Sequence, residues 1–575
     1  MDEKKTSDSG GEKADVLVIG AGPTGLTMAL ELARQGLSCR IVDQEVRTPT
    51  HQSRALAIQA RTLEIFDILG IAEEVVDRGN KLQAINPYAD GRRLAHLTLA
   101  ELESRFPFLL ILPQSQTETI LEESLNRLGV SVERQRRLVG FRQDDDSVSA
   151  TLEGADGSTE QIRSSWLVGC DGAHSAVRHT LGLGFAGNSD PELWALADTE
   201  LGTSLPDDEL HVFFGEGVLF MAPIGRGLWR VGGNLPGESR SRNQEPSAEE
   251  IQALIDTRAS TEARLGEPQW LSYFHFHSRI TQRFREGRVF LVGDAAHIHS
   301  PAGGQGMNTG IQDAYNLTWK LAHVHRGLAY ATLLDSYDAE RHPVGQRVVR
   351  ATDLLTRALT LQNPAARTLR NLVLPRLTAL ETVRERIRGN LSQIRVSYRG
   401  SPIVKDGLSR VRDDTLGTLA ARLHAQPGPA PGDRAPDATL LLPDAKEAIR
   451  LSEITKDIGH SLLLLHGVAG RSAEVIQGLC EIDDQIRAKY PQSISVHLVV
   501  PAGSVPAGLG WDGSLLFDPD RTLHRLYGAH EARLYLIRPD GYIAFRGDAD
   551  SGQKLYAYLD DVLGESENVQ VANPT

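Results

Sequence analysis

Three short segments carry residue types and spacings that could do chemistry. The first is Gly20-Ala21-Gly22-Pro23-Thr24-Gly25, set between an apolar run at 15–20 (DVLVIG) and a helical stretch at 23–35. In such a turn Gly20 permits the tight bend, Gly22 lets the backbone approach a pyrophosphate, and Gly25 lets the helix pack on the strand. Pro23 and Thr24 open the helix, whose positive N-terminus faces the phosphates. A second apolar run at 38–43 (SCRIVD) ends in Asp43 and Gln44, and an acid there accepts hydrogen bonds from ribose hydroxyls. Strand, glycine turn, helix and acidic strand end, in that order, predict dinucleotide binding.

The second segment is Cys170-Asp171-Gly172-Ala173-His174-Ser175, followed by Arg178. The third is Gly293-Asp294-Ala295-Ala296-His297, followed by Pro301-Ala302-Gly303-Gly304-Gln305-Gly306-Met307-Asn308. Each aspartate follows a strand-like run, at 164–169 and 287–293, and ligands of open α/β sheets bind at strand carboxyl ends. Either motif alone would read as a turn. No second GxGxxG directly joins an apolar run to a helical stretch as the first does. The three cysteines, Cys39, Cys170 and Cys480, lie far apart without a CxxC, so no redox disulfide or zinc knuckle is expected. His297 and His299 lack a third ligand, so no metal is expected either.

These segments need elements to position them. A chain of 575 residues calls for roughly three or four domains. A net charge of −14 argues against nucleic acid as a partner, because phosphate binding needs concentrated Lys and Arg. Residues 1–14 are polar and read as a disordered lead-in rather than a signal peptide. No apolar run approaches the roughly 20 residues needed to span a bilayer, so a soluble, cytoplasmic protein with no membrane partner is expected. Between about 191 and 278 the pattern becomes that of short antiparallel strands, expected to roof a substrate. His211, Phe213, Phe220, Met221, Trp229, Tyr273 and His275 are the candidate pocket residues, with core packing as the alternative for each. Alternation puts Tyr273, His275 and His277 on one face and Phe274 and Phe276 on the other, and either face could be core. Helices follow to about residue 390, then a Pro/Gly linker at 426–436 and an α/β module.

The three motifs, together with Ser53-Arg54-Ala55, Pro113-Gln114 ahead of a helix and Gly287-Arg288, resemble the class A flavoprotein aromatic monooxygenases, the para-hydroxybenzoate hydroxylase family, over about residues 15–398. The C-terminal module resembles the thioredoxin-like domain of the longer phenol-hydroxylase-like and polyketide-hydroxylase-like members. The resemblance implies an α/β fold: a Rossmann-like FAD-binding domain (15–84, 111–189 and 278–345), an inserted antiparallel β-sheet substrate domain (85–110 and 190–277), a helical region and linker (346–425), and a thioredoxin-like domain lacking CxxC (426–575). It implies FAD, with NADPH or NADH as a transient co-substrate and O2, hydroxylating a small phenolic or polyketide-like aromatic substrate through a C4a-hydroperoxyflavin. A homodimer is compatible with it.

The resemblance also implies roles. Asp294 would accept from a ribityl hydroxyl, Gln114 would contact the flavin region, and Arg54 the pyrophosphate. Asp171 would serve both nucleotides and be more structural, and Arg178 is read as a helix-capping ion pair, with a ligand contact as the alternative. Pro301, Gly304, Gly306, Met307 and Asn308 would lie in a loop before a helix at 309–321, with backbone amides facing the pyrimidine end of the flavin and Gly306 allowing close approach. No residue is singled out as a catalytic base. The competing readings are a halogenase or reductase on the same fold, or a non-catalytic flavin-binding regulator. A halogenase would carry Trp-x-Trp, which none of the six tryptophans forms.

Overall fold

In the computed structural model the strand Lys13–Ile19 pairs in parallel with Cys39–Asp43 on one side and Thr159–Gly169 on the other. The described residues are 13–46, 55–235, 245–259, 261–361, 363–408, 428–443, 448–469, 473–501 and 511–564. Arg54, most of the N-terminal lead-in and much of the 426–436 linker's approach lie outside them. Val16, Leu17 and Val18 are fully buried, the unbroken apolar run of a parallel strand covered on both faces. The strand Val289–Leu291 joins the end of Thr159–Gly169, also in parallel. The ends at Ile19, Asp43, Gly169 and Leu291 therefore share one edge of the sheet, and all three motifs follow such an end.

The chain divides into two units, 1–315 with 341–393, and 316–340 with 394–575. Unit 1 holds this sheet and a 9-stranded one built on the long antiparallel pair Phe185–Thr203 and Ala263–Thr281. Leu228–Leu235, Gly217–Gly225 and Glu209–Gly215 extend it, and Ala84–Ala89 adds in parallel. The helix Ala248–Arg258, started by a reciprocal Ser247/Glu250 capping box, lies over one face. Ile251, Leu254 and Ile255 pack there on Phe213, Leu219, Met221, Trp229 and Tyr273. The opposite face carries Trp194, Phe214, Phe220, Phe274 and Phe276, packed with Leu359 and Leu374.

Unit 2 centres on the strand His460–Leu465, parallel to Ile494–Val500 and antiparallel to Arg533–Ile537. Its core includes Trp319, Ala329 and Leu333 from the 316–340 segment beside Leu462, Leu464, Leu534 and Leu559. The expected division at 345 is thus displaced: 25 residues assigned to the FAD-binding domain cluster with the C-terminal module. The cause is a buried charge network. Glu340 accepts from Lys320 Nζ at 2.8 Å, Asn316 Nδ2 at 2.8 Å, Ser401 Oγ at 2.7 Å and both Nη atoms of Arg538. Burial pulls Lys320 down to about 8, against the attraction of Glu340. The Pro/Gly stretch at 428–436 is not a free linker, since Gly432 N donates to Ile543 O at 2.7 Å and Ala435 N to Gly541 O at 2.9 Å.

Unit 2 also buries His323, His460 and His497. Burial lowers His323 and His497 to about 4 and holds His460 well below its ordinary range, so all three are neutral in the fold. The unfolded chain binds those protons near pH 6.5, so folding stability falls as pH drops below about 6.5, at up to roughly 1.4 kcal/mol per pH unit for each histidine. Thermal melts from about pH 7.5 to about pH 5 should show a steep loss that His460→Phe makes shallower; a flat profile would contradict it.

Candidate active site

Gly20 has φ +99°, and a Cβ there would stand 2.4 Å from Cys170 O. A Cβ on Gly25 would stand 1.9 Å from Gly20 O. These two glycines are demanded by the protein itself. Gly22 differs: a Cβ would meet nothing within 4 Å. The helix Pro23–Arg34 starts immediately after it, with no side-chain cap and no acid in its first turn. An open cradle before uncapped, positive amides is what a dinucleotide pyrophosphate requires. Asp43 is tied to the same turn, Oδ2 accepting from Ala21 N at 2.6 Å and Oδ1 from Glu45 N at 2.8 Å, and Gln44 is exposed beside it. Gln114 donates to Glu118 at 2.8 Å, and burial, with Asp43 nearby, raises the Glu118 carboxyl despite that bond.

Asp294 is exposed in the short helical turn Gly293–Ala295, after the strand end at Leu291. Its turn is held from behind by Asp313, which accepts from Gly293 N at 3.2 Å, His297 Nε2 at 2.8 Å and Arg341 Nε at 2.5 Å. Burial would raise the Asp313 carboxyl, but Arg341 and His297 outweigh it and hold it below its ordinary range. Sequence reasoning missed Asp313 and Arg341; Asp313 stands in a mostly uncharged helical stretch, but Arg341 lies among other charges and carried no such signal. Thr24 packs into the same corner, 2.8 Å and 2.4 Å from where Cβ atoms on Gly293 and Gly310 would sit.

The helix expected at 309 begins at Gly306 and runs to His325. Gly306, Met307 and Asn308 therefore form its first turn instead of a loop. The glycines with positive φ are Gly303 (+83°) and Gly304 (+63°), and a Cβ on Gly304 would stand 2.6 Å from that of Ala57. Within the protein, close backbone approach is required at Gly304, whereas a Cβ on Gly306 would meet only the His299 ring, at 3.7 Å. Pro301 O closes the turn by accepting from Gly304 N at 2.8 Å. The Asn308 side chain is spent on the protein, bonding Gln59 N, Ala57 O and Gly304 O.

Two other expectations change. Arg178 makes no ion pair among the described residues; it donates to Ala173 O and Ala295 O, both at 2.9 Å, and lies over the Phe185 ring, stapling the second motif to the third. Asp171 accepts from Val177 N at 3.1 Å, and burial raises its carboxyl. Of the seven pocket candidates, only Phe220 lies on the face away from the Ala248–Arg258 helix. Phe213, Met221, Trp229 and Tyr273 are core under that helix. His211 and His275 share their side through cross-strand partners Met221 and Leu193. Period-two alternation identified the two faces but not which one the helix covers. No cluster of three or more His, Cys, Asp or Glu that could hold a metal occurs among the described residues.

A parallel sheet with a glycine-turn cradle, an exposed acid on a second strand end and a helix start beside it define a dinucleotide-binding oxidoreductase site with a separate aromatic sheet. The family model described as "FAD binding domain" matches residues 13–352, and the chain belongs to that family of FAD-dependent aromatic monooxygenases. It is 35% identical to 6-methylpretetramide 4-monooxygenase of Streptomyces rimosus over 95% of this chain and 92% of that protein. It is 32% identical to pentachlorophenol 4-monooxygenase of Sphingobium chlorophenolicum over 96% and 98%. The structure of aklavinone-11 hydroxylase with FAD and aklavinone is similar over 95% of this chain and 98% of its own, with a TM-score of 0.72 and 26% identity.

If Asp294 anchors the flavin's ribityl chain, Asp294→Ala removes a charge-assisted acceptor contributing roughly 1.5–3 kcal/mol and should weaken FAD retention by at least about tenfold. Equal flavin content at limiting FAD would remove Asp294 from the site.

Proposed function

We propose that the protein hydroxylates a polycyclic, polyketide-like phenol, seated on the aromatic face formed by Trp194, Phe214, Phe220, Phe274 and Phe276. That face carries the reading: five aromatic side chains turned away from the Ala248–Arg258 helix, tilted to one another and packed with Leu359 and Leu374, form an apolar cluster wider than a single ring needs. FAD, when bound, supplies the capacity to take hydride from NADPH or NADH and to activate O2. The chain's part is to bind and orient. The cradle at Gly22 with the amides of the Pro23 helix holds pyrophosphate, Asp43 contacts the adenosine side, Gln114 the flavin region, and Asp294 takes a ribityl hydroxyl. The first-turn amides of Gly306, Met307 and Asn308 face the electron-rich end of the flavin.

Unit 2, with parallel central strands joined by the helix Ala473–Lys489 and an antiparallel hairpin before the last helix, supports a thioredoxin-like reading without redox chemistry. No helix among the described residues is long and apolar enough to cross a membrane. The proposal includes a cytoplasmic setting, with a homodimer to be tested by light scattering.

The pentachlorophenol relative favours a second reading, a small substituted phenol. Tricyclic and tetracyclic phenols and single-ring phenols should be compared for stimulated NAD(P)H oxidation coupled to a product heavier by one oxygen. Coupled turnover with polycycles is expected; coupling with single-ring phenols alone would replace the proposal with the second reading.

A further inference from the structure

His299 stands one residue past the strand His297–Ile298, which pairs with Ala263–Thr281 through Ile298 opposite Arg279. Continuing that register sets His299 opposite Ser278, on the side of the strand that carries Phe274 and Phe276. Its Nδ1 donates to Ser300 O at 2.8 Å, which fixes the tautomer and leaves Nε2 with a lone pair. That Nε2 is shielded from solvent and has no hydrogen-bond partner among the described residues. It lies beside Gly306, 3.7 Å from where a Cβ would project, at the start of the helix proposed to face the flavin. A buried acceptor left unmatched costs about 1–3 kcal/mol, so such an atom is stable when a ligand donates to it.

Two neighbouring groups have other partners. His297 is committed to Asp313 and stacks on the His299 ring at 6.4 Å, and Asp353 accepts from Ser278 Oγ. Burial also lowers His299 to about 4, so the ring is neutral near pH 7 and acts as an acceptor.

We infer that His299 Nε2 accepts a hydrogen bond from a ring hydroxyl of the aromatic substrate. This rests on the aromatic-face reading. The bond would fix which ring edge faces the flavin and pull electron density from the O–H bond toward the ring, where an electrophilic oxygen is received. It makes His299 a contact that selects phenols over their ethers.

The test uses the FAD-loaded protein, with 2-naphthol and 2-hydroxyanthraquinone against their methyl ethers, and dissociation constants from flavin difference spectra. Wild type should prefer the phenol by about tenfold, a difference of about 1.4 kcal/mol. His299→Leu should bind phenol and ether alike, and His299→Gln, whose side-chain oxygen can accept, should recover part of the preference. Should the leucine variant lose FAD, wild type with 15N-labelled histidine decides: one unprotonated Nε2 resonance, absent in His299→Gln, should move on adding phenol but not ether. A leucine variant with normal flavin content that keeps the preference, a wild type without one, or an unmoved resonance overturns the inference. A wild type that binds none of the four aromatics overturns the aromatic-face reading instead.

Discussion

Ending the chain after Gln426 is expected to give protein that is largely insoluble and holds no flavin, although all three glycine- and aspartate-bearing motifs remain. Truncation leaves 316–340 without the strands it packs among. Trp319 and Leu333 lose Leu462, Leu464 and Leu534, and the buried Lys320 and Glu340 lose Arg538. Removing one partner of a buried ion pair costs about 3–5 kcal/mol, against a whole-domain stability of about 5–15 kcal/mol. The damage reaches the candidate site through continuous helices. Gly306–His325 carries Gly306 at one end and Lys320 near the other, and Arg341, which holds Asp313, directly follows Glu340. Arg538→Ala should reproduce part of the loss in the full chain. A soluble yellow truncation melting with the full-length protein would refute this account.

The second large effect separates two glycines three residues apart. Gly22→Val should fold, because Gly22 has φ −73° in extended backbone and a Cβ there meets nothing. The same substitution fills the cradle proposed for the pyrophosphate, so FAD affinity should fall at least about a hundredfold, or some 2.7 kcal/mol. The variant should melt like flavin-free wild type, lacking only the stabilisation that bound FAD gives. Gly25→Ala is the opposite case. Its methyl would overlap Gly20 O, at 1.9 Å, and neither backbone can yield without moving the helix off the strand. Overpacking costs about 1–3 kcal/mol or more, so fold and flavin should be lost together. Flavin content and melting temperature, measured in parallel, check both. Wild-type FAD affinity in Gly22→Val would move the pyrophosphate elsewhere.

Much of the site was legible because it depends on local backbone chemistry. A strand, a glycine turn and a helix must be consecutive in sequence, and so must an aspartate and the strand it ends. What stayed hidden depends on contacts distant in sequence. Nothing near Arg178 announces that its partners are the carbonyls of Ala173 and Ala295. The run at 273–277 shows two faces but not that Ile251 and Leu254 cover the Tyr273 side. The helix start at Gly306 was set three residues late because Gly-Gln-Gly reads as loop, whereas Asn308 bonding Ala57 and Gln59 fixes its beginning. The boundary at Gln426 followed proline and glycine density and overlooked Glu340, whose partner Arg538 lies 198 residues away.

The corner where Thr24 meets Gly293 and Gly310 has a consequence for how this sequence can vary. Three positions from distant stretches compete for one small volume, so their substitutions are not independent. A methyl at Gly310 would stand 2.4 Å from Thr24 and 3.2 Å from the Gly293 backbone, so it requires both a smaller residue 24 and a small shift at Gly293. The positive φ of Gly293 (+62°) blocks the equivalent exchange there whatever residue 24 is. Among descendants of this chain, positions 24 and 310 should therefore change as a pair, smaller at one when larger at the other, while position 293 stays glycine throughout.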